Sequence, residues 1–155
     1  MFTTRDNKLV YEIRDYQKTV TGLLDLIKQN DIKNIVSIYR GSIPLGVKLS
    51  NQYNLPLSII DYQTRDKVGN KTDPYWMKDA IQNGNVLVID DILDTGKTMI
   101  DVLKFIKDDK KDLGDMFIHT IFKAKSNTNS SELEKFGKFT FDYESDAWVI
   151  FEPWE

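Results

Sequence analysis

The chain has 155 residues, with 21 Lys and Arg against 24 Asp and Glu for a net charge of −3. That length suits one compact domain, and the acidic balance is opposite to that of a dedicated nucleic-acid binder. There is no cysteine and a single histidine, His119, which excludes disulfide frameworks, zinc ribbons, iron–sulfur clusters and cysteine nucleophiles, so any metal has to be held by oxygen.

No apolar stretch nears the roughly 18 residues of a membrane span, and the start of the chain has no apolar signal core; a soluble, cytoplasmic protein is expected. Leu23, Leu24 and Ile27 fall at helical spacing and predict a first amphipathic helix. The run Ile35-Val36-Ser37-Ile38-Tyr39 reads as a strand buried on both faces. It leads into Arg40-Gly41-Ser42-Ile43-Pro44, a glycine turn opening a second helix, with Ser42 as cap, Pro44 in the first turn and Leu45 and Leu49 facing inward. Glycine lets a backbone approach an anion closely and arginine adds charge, although an ordinary strand-to-helix turn has the same composition. Leu57 to Ile60 predicts the next strand, and the polar stretch 63–73 reads either as a mobile loop or as a plain solvated connection.

Val86 to Ile89 is a further buried strand, followed by a helix carrying Met99, Val102, Leu103 and Ile106, then a strand from Phe117 to Phe122. His119 lies within that last strand and reads as structural or partly exposed. Lys125 to Ser131 is loop-like and caps a short helix over Glu132 to Phe136. The tryptophan-rich end, Asp146 to Glu155, predicts a final strand. Such alternation of strand and helix argues for a parallel α/β sheet, whose ligands bind in the crevice beyond the strand C-termini.

The most informative segment is Val86-Leu87-Val88-Ile89-Asp90-Asp91-Ile92-Leu93-Asp94-Thr95-Gly96-Lys97-Thr98. A buried strand ends in two acids, turns through a third and enters a helix by Thr-Gly-Lys-Thr. Free amides at a helix N-terminus, with threonine hydroxyls, cradle a phosphate. Adjacent carboxylates would repel that anion unless hydroxyls or a cation lie between, and a sugar phosphate with Mg²⁺ supplies both. A nucleotide-triphosphatase P-loop is excluded, because the glycine it needs five positions before Gly96 is Asp91 here. The plain alternative makes Asp90 and Asp91 a solvated strand end and Asp94 or Thr95 an N-cap.

This segment closely resembles the signature of type I phosphoribosyltransferases: a hydrophobic strand, two acids, two variable residues, then Asp-Thr-Gly-x-Thr. The resemblance implies that Thr95, Gly96, Lys97 and Thr98 hold the 5′-phosphate of phosphoribosyl pyrophosphate. Asp90 and Asp91 would face the ribose hydroxyls and Mg²⁺, and Asp94 would be the proton acceptor near purine N7. Arg40-Gly41-Ser42 resembles the pyrophosphate-binding loop of xanthine-guanine phosphoribosyltransferases, which implies a non-proline cis peptide at Arg40-Gly41. The C-terminal segment is similar to the ending of the same enzymes, implying that Trp148 stacks on a purine and the Val149 carbonyl accepts from it. Their base-binding lysine is assigned to Lys125, with Lys123 as the other choice, since ungapped alignment places Ala124 there.

The implied architecture is α/β, a type I phosphoribosyltransferase fold. One domain over 1–155 would hold a central, mainly parallel twisted sheet flanked by helices, a mobile loop at 63–73 that closes over the site, and a small C-terminal hood at about 125–155. The implied activity is purine salvage: transfer of the phosphoribosyl group to N9 of guanine, xanthine or hypoxanthine, with Mg²⁺ as cofactor. By analogy the partners are these small molecules and a second or further copies in a homodimer or homotetramer, with no nucleic acid and no membrane. Two other readings are a non-catalytic sensor of phosphoribosyl pyrophosphate or a nucleotide, and a pyrimidine or orotate phosphoribosyltransferase.

Overall fold

The computed structural model describes residues 2–39, 41–62, 75–77, 83–109, 113–127 and 129–155. Arg40, its peptide bond to Gly41 and the 63–73 loop lie outside the described residues. Strands β1 (Thr3–Arg5) and β2 (Lys8–Tyr11) form an antiparallel hairpin. Its two-residue turn places Asp6 and Asn7 at φ 51° and 62°, the left-handed conformation that short polar side chains tolerate and that matches strand twist. Helix α1 (Ile13–Gln29) opens with a capping box between Glu12 and Asp15, which satisfies N–H groups the first turn cannot pair internally.

The remaining elements are β3 (Ile32–Tyr39), α2 (Ile43–Tyr53), β4 (Leu57–Asp61), β5 (Tyr75–Met77), β6 (Asn85–Leu93), α3 (Lys97–Asp109), β7 (Met116–Lys123), α4 (Ser130–Leu133), β8 (Gly137–Glu144) and β9 (Val149–Phe151); β5 and β8 were not anticipated from the sequence. Six of the strands form one sheet in the order β5-β4-β3-β6-β7-β8. All neighbours are parallel except β4 and β5. Alternation along the central strands divides the core. Val36 and Ile38 of β3 and Val86 and Val88 of β6 pack with Met99, Val102, Leu103 and Ile106 of α3. Ile35, Leu87 and Ile89 face the other way, onto Leu23 and Ile27 of α1 and Leu45 and Leu49 of α2. A sheet covered on both faces needs strands apolar at every position, which explains the unbroken runs in the sequence.

The order of the strands locates the site. The chain leaves β3 through α2 on one face and moves outward to β4; it leaves β6 through α3 on the opposite face and moves outward to β7. The winding direction therefore reverses between β3 and β6, and the loops after these two strands flank the crevice where such sheets take ligands. Their ladder stops at Ser37 and Ile89, while β6 continues beside β7 as far as Leu93 and Lys123.

Two boundaries differ from the sequence reading, and His119 follows its structural alternative. The second, three-stranded sheet joins β9 to β2 in parallel, pairing Leu9 with Val149. The small subdomain is thus built from both ends of the chain, and of the stretch 125–155 strand β8 instead extends the main sheet. The short helix spans Ser130–Leu133 rather than 132–136, with turns following it. His119 is buried and structural: its Nδ1 lies 2.7 Å from the Thr140 hydroxyl. Its Nε2 sits 3.3 Å from Asp142 Oδ1, an ion-pair distance whose angle does not make a hydrogen bond. Asp142 also accepts from Thr19, which accepts from Tyr11, so this polar network ties α1 and β2 to β7 and β8. Burial, the largest cause, pushes the Tyr11 phenol well above its ordinary range.

Candidate functional site

The β3–α2 loop packs directly against β6. A Cβ placed on Gly41 would run into the carboxylate of Asp91, so glycine is required for that loop to pass against the acids of the strand. Ser42 holds the two strand ends together: its buried hydroxyl lies 3.0 Å from the carbonyls of both Ile38 and Ile89. Its own carbonyl accepts from Ser37 at 3.2 Å. Ser42 occupies the N-cap position of α2, but its side chain makes no cap bond, because those carbonyls take the hydroxyl instead. Only its backbone remains to serve an anion, a correction to its expected role as a side-chain cap.

Asp90 and Asp91 are half-buried within β6, which continues past them to Leu93 instead of ending in the acids as the sequence reading expected. Asp90 Oδ1 accepts from the Asp91 N–H and Asp91 Oδ1 from the Ile92 N–H, each at 2.8 Å. These bonds fix both carboxylates where β6 has parted from β3. Among the described residues no group of three or more His, Cys, Asp or Glu side chains is placed to hold a metal ion. The Asp90 and Asp91 pair nevertheless fits a hard cation of the Mg²⁺ kind, which takes one or two carboxylates and completes its shell with water and substrate phosphate oxygens.

The turn 94–96 is exposed at Asp94 and Thr95 and buried at Gly96, whose φ is +86°. Helix α3 begins at Lys97, and the Gly96 carbonyl receives its first turn from the Ile100 N–H at 2.9 Å. The Thr95 hydroxyl reaches the Lys97 N–H at 3.3 Å, long enough for an incoming anion to displace it. The four N–H groups at a helix start lack intrahelical partners, and the helix dipole adds partial positive charge there.

Sequence reasoning missed the residues that hold this turn from behind. Asn127 Nδ2 donates to the Asp94 carbonyl and Asn129 Nδ2 to the Thr95 carbonyl, each at 2.5 Å. Asn129 N–H in turn donates to Asn127 Oδ1 at 3.0 Å. The polar stretch after β7 looked like an ordinary loop; the signal present was two asparagines two residues apart, a pattern too common to single out. On its far side the same segment is tied to residues ahead of Trp148: Asp146 Oδ1 accepts from both Ser126 N–H and Ser126 Oγ at 3.1 Å. These bonds, chiefly the one from the Ser126 backbone, hold the Asp146 carboxyl below the usual carboxylate range.

The candidate base-binding residues separate. Lys123 Nζ donates to Glu144 at 2.9 Å and lies over the Phe141 ring, so it is engaged on β8. Lys125 is exposed in the turn beyond β7, near enough to Asp146 to help lower its pKa. Trp148 is 67% exposed and its carbonyl accepts from Leu9 N–H at 2.9 Å. Val149 is buried in the core at the start of β9, leaving only its backbone for recognition. Trp154, by contrast, stacks on Phe151 and packs against Tyr11 and Tyr16.

Comparison with known proteins bears on the family and the fold. A model of the phosphoribosyl transferase domain family matches residues 9–146. A curated relative, the ribose-phosphate pyrophosphokinase of Mycoplasma genitalium, is 27% identical over 135 residues, which is 86% of this chain but 39% of that protein. The chain therefore spans about two fifths of the length of that relative. A purine phosphoribosyltransferase from Pyrococcus horikoshii superposes with a TM-score of 0.75 at 20% identity, covering 96% of this chain and 94% of that one. The xanthine-guanine-hypoxanthine phosphoribosyltransferase of Helicobacter pylori superposes with a TM-score of 0.68 at 22% identity, covering 92% and 90%. At these identities the two solved structures bear on the fold alone.

Proposed function

The chain belongs to the phosphoribosyl transferase domain family, and from that premise we propose that it moves the 5-phosphoribosyl group of phosphoribosyl pyrophosphate to N9 of an oxopurine, releasing pyrophosphate. The observation that carries this reading is the contact of Gly41 with Asp91 at the reversal of strand order. It brings a glycine loop against one of the two fixed carboxylates of β6, the strand that leads into α3. A sugar bearing phosphates at both ends needs those three features in that arrangement.

The backbone amides from Thr95 to Thr98, with their two threonine hydroxyls, bind the 5′-phosphate. Asp90 and Asp91 accept hydrogen bonds from the ribose hydroxyls. A Mg²⁺ ion would be held by these carboxylates together with substrate oxygens, and when bound it neutralises charge on the pyrophosphate. Arg40 and the amides of Gly41 and Ser42 receive the same leaving group. As the bond from the anomeric carbon to pyrophosphate oxygen breaks, its electron pair departs with pyrophosphate and oxocarbenium character builds on the ribose. The N9 lone pair then forms the new bond, and the exposed Asp94 carboxylate takes the proton from N7. Trp148 offers an aromatic face to the base and Lys125 a donor to its 6-oxo group. Closure of the 63–73 loop would keep water from the reactive carbon.

The test is pyrophosphate release with Mg²⁺ and phosphoribosyl pyrophosphate, supplying guanine, xanthine, hypoxanthine, adenine, uracil and orotate separately. Release with oxopurines alone is expected. Release only with adenine or a pyrimidine would overturn the base assignment. Binding of phosphoribosyl pyrophosphate without release for any base would replace the enzyme by a sensor.

A further inference from the structure

We infer that Asn127 and Asn129 are positioning residues for the phosphate-binding turn, which they hold from behind by its carbonyls; the substrate named rests on the reading above. An anion at the start of α3 is attracted by N–H groups and repelled by carbonyl oxygens, so the turn 94–96 serves it only if its carbonyls face away. Two side-chain amides supply that constraint, one on the Asp94 carbonyl and one on the Thr95 carbonyl. The Asn127 amide is itself restrained. Asn127 Oδ1 accepts the Asn129 N–H, and the Asn127 N–H donates to the Ala124 carbonyl at 3.1 Å.

The asparagines also shape the glycine position. A Cβ on Gly96 would stand 3.2 Å from Asn129 Cβ and 3.4 Å from Asn127 Nδ2, so the braces fill the space a side chain would use. The bracket continues outward through Ser126 to Asp146, two residues before Trp148. The segment after β7 therefore joins the phosphate turn to the segment that carries the exposed tryptophan. A turn already held in its binding conformation loses less freedom when ligand arrives, and that saving adds to affinity. Positioning of this kind acts on phosphoribosyl pyrophosphate binding without requiring either asparagine to touch it.

Asn127→Ala, Asn129→Ala and the double variant should bind phosphoribosyl pyrophosphate with Mg²⁺ more weakly by calorimetric titration. One lost hydrogen bond corresponds to roughly 3- to 10-fold per variant. The control is Asn85→Ala. Asn85 makes comparable bonds at the opposite end of β6, donating to the Asn30 carbonyl and accepting from Asp115 N–H, each at 2.8 Å. It should lower the melting temperature about as much while leaving affinity unchanged. Amide hydrogen exchange provides a readout independent of substrate: protection of the Ile100 amide, bonded to the Gly96 carbonyl at 2.9 Å, should fall in the Asn127 and Asn129 variants and stay intact in Asn85→Ala. Wild-type affinity in both asparagine variants, equal weakening in the control, or unaltered exchange at Ile100 would each overturn the inference. So would failure of both single variants to fold, which would make them general structural residues. If wild-type protein does not bind phosphoribosyl pyrophosphate, the functional reading fails, and the exchange comparison still decides the brace.

Discussion

Replacement of Gly96 by alanine tests backbone conformation and the arrangement behind it together. At φ +86° a residue with a Cβ costs about 1–2 kcal/mol more than glycine. The added carbon would stand 3.2 Å from Asn129 Cβ and 3.9 Å from Leu93 Cδ1. Those distances are tight without being an overlap, so conformational strain dominates, and the sum is about 2 kcal/mol. For a domain near 150 residues, each 1 kcal/mol shifts the melting temperature by roughly 2–4 °C, so a fall of about 4–8 °C is expected by circular dichroism. Displacing the two asparagines should also weaken phosphoribosyl pyrophosphate binding by about tenfold, the equivalent of 1.4 kcal/mol. Gly22→Ala is the contrasting substitution. Gly22 lies inside α1, and a Cβ there would meet nothing within 4 Å, so alanine should stabilise by about 0.5–1 kcal/mol. The reasoning is refuted if the Gly96 variant melts with the wild type, or if both substitutions move the melting temperature in the same direction.

Asp94→Asn should lower turnover with modest change in phosphoribosyl pyrophosphate affinity, measured by steady-state kinetics and titration; unchanged turnover would remove Asp94 from proton transfer. Titration with guanine should quench tryptophan fluorescence through the exposed Trp148, and Trp148→Phe should abolish most of that quenching; full quenching in the variant would rule out the aromatic platform. Tyr62 donates to Asp101 at 2.6 Å, which with burial pushes its phenol up to about 12 from near 10. A neutral phenol favoured by folding contributes stability that is whole below pH 10 and is lost as pH rises toward about 12. The difference in urea unfolding between wild type and Tyr62→Phe should be about 1–2 kcal/mol at neutral pH and shrink above pH 10; a difference constant across that range would contradict the hydrogen bond.

Much of the architecture was legible because burial on two faces leaves a mark on every residue of a strand. Ile35, Val36, Ile38 and Val86 to Ile89 are apolar since each of these side chains enters one of two cores, and the helical spacing of Met99, Val102, Leu103 and Ile106 follows from facing one of them. The acids and the Thr-Gly-Lys-Thr turn were equally local, lying within a few consecutive residues. The roles of Ser42, Asn127 and Asn129 were hidden for the opposite reason. Ser42 reads as a helix cap until the folded chain brings the Ile89 carbonyl beside it, from forty-seven positions away.

The sequence by itself determined the fold class and the central strands and helices, and it singled out the segment 86–98 on which the functional proposal rests, because those properties depend on periodicity and on neighbours in the chain. Only the tertiary structure decided that the hairpin of residues 3–11 completes a sheet with Val149–Phe151, and that Gly41 abuts Asp91. It also decided that Lys123 is engaged by Glu144 and that two asparagines hold the turn 94–96 from behind. Each of these is a contact between distant parts of the chain, and residue spacing carries no direct record of which distant groups the packing of the sheet will bring within hydrogen-bonding reach.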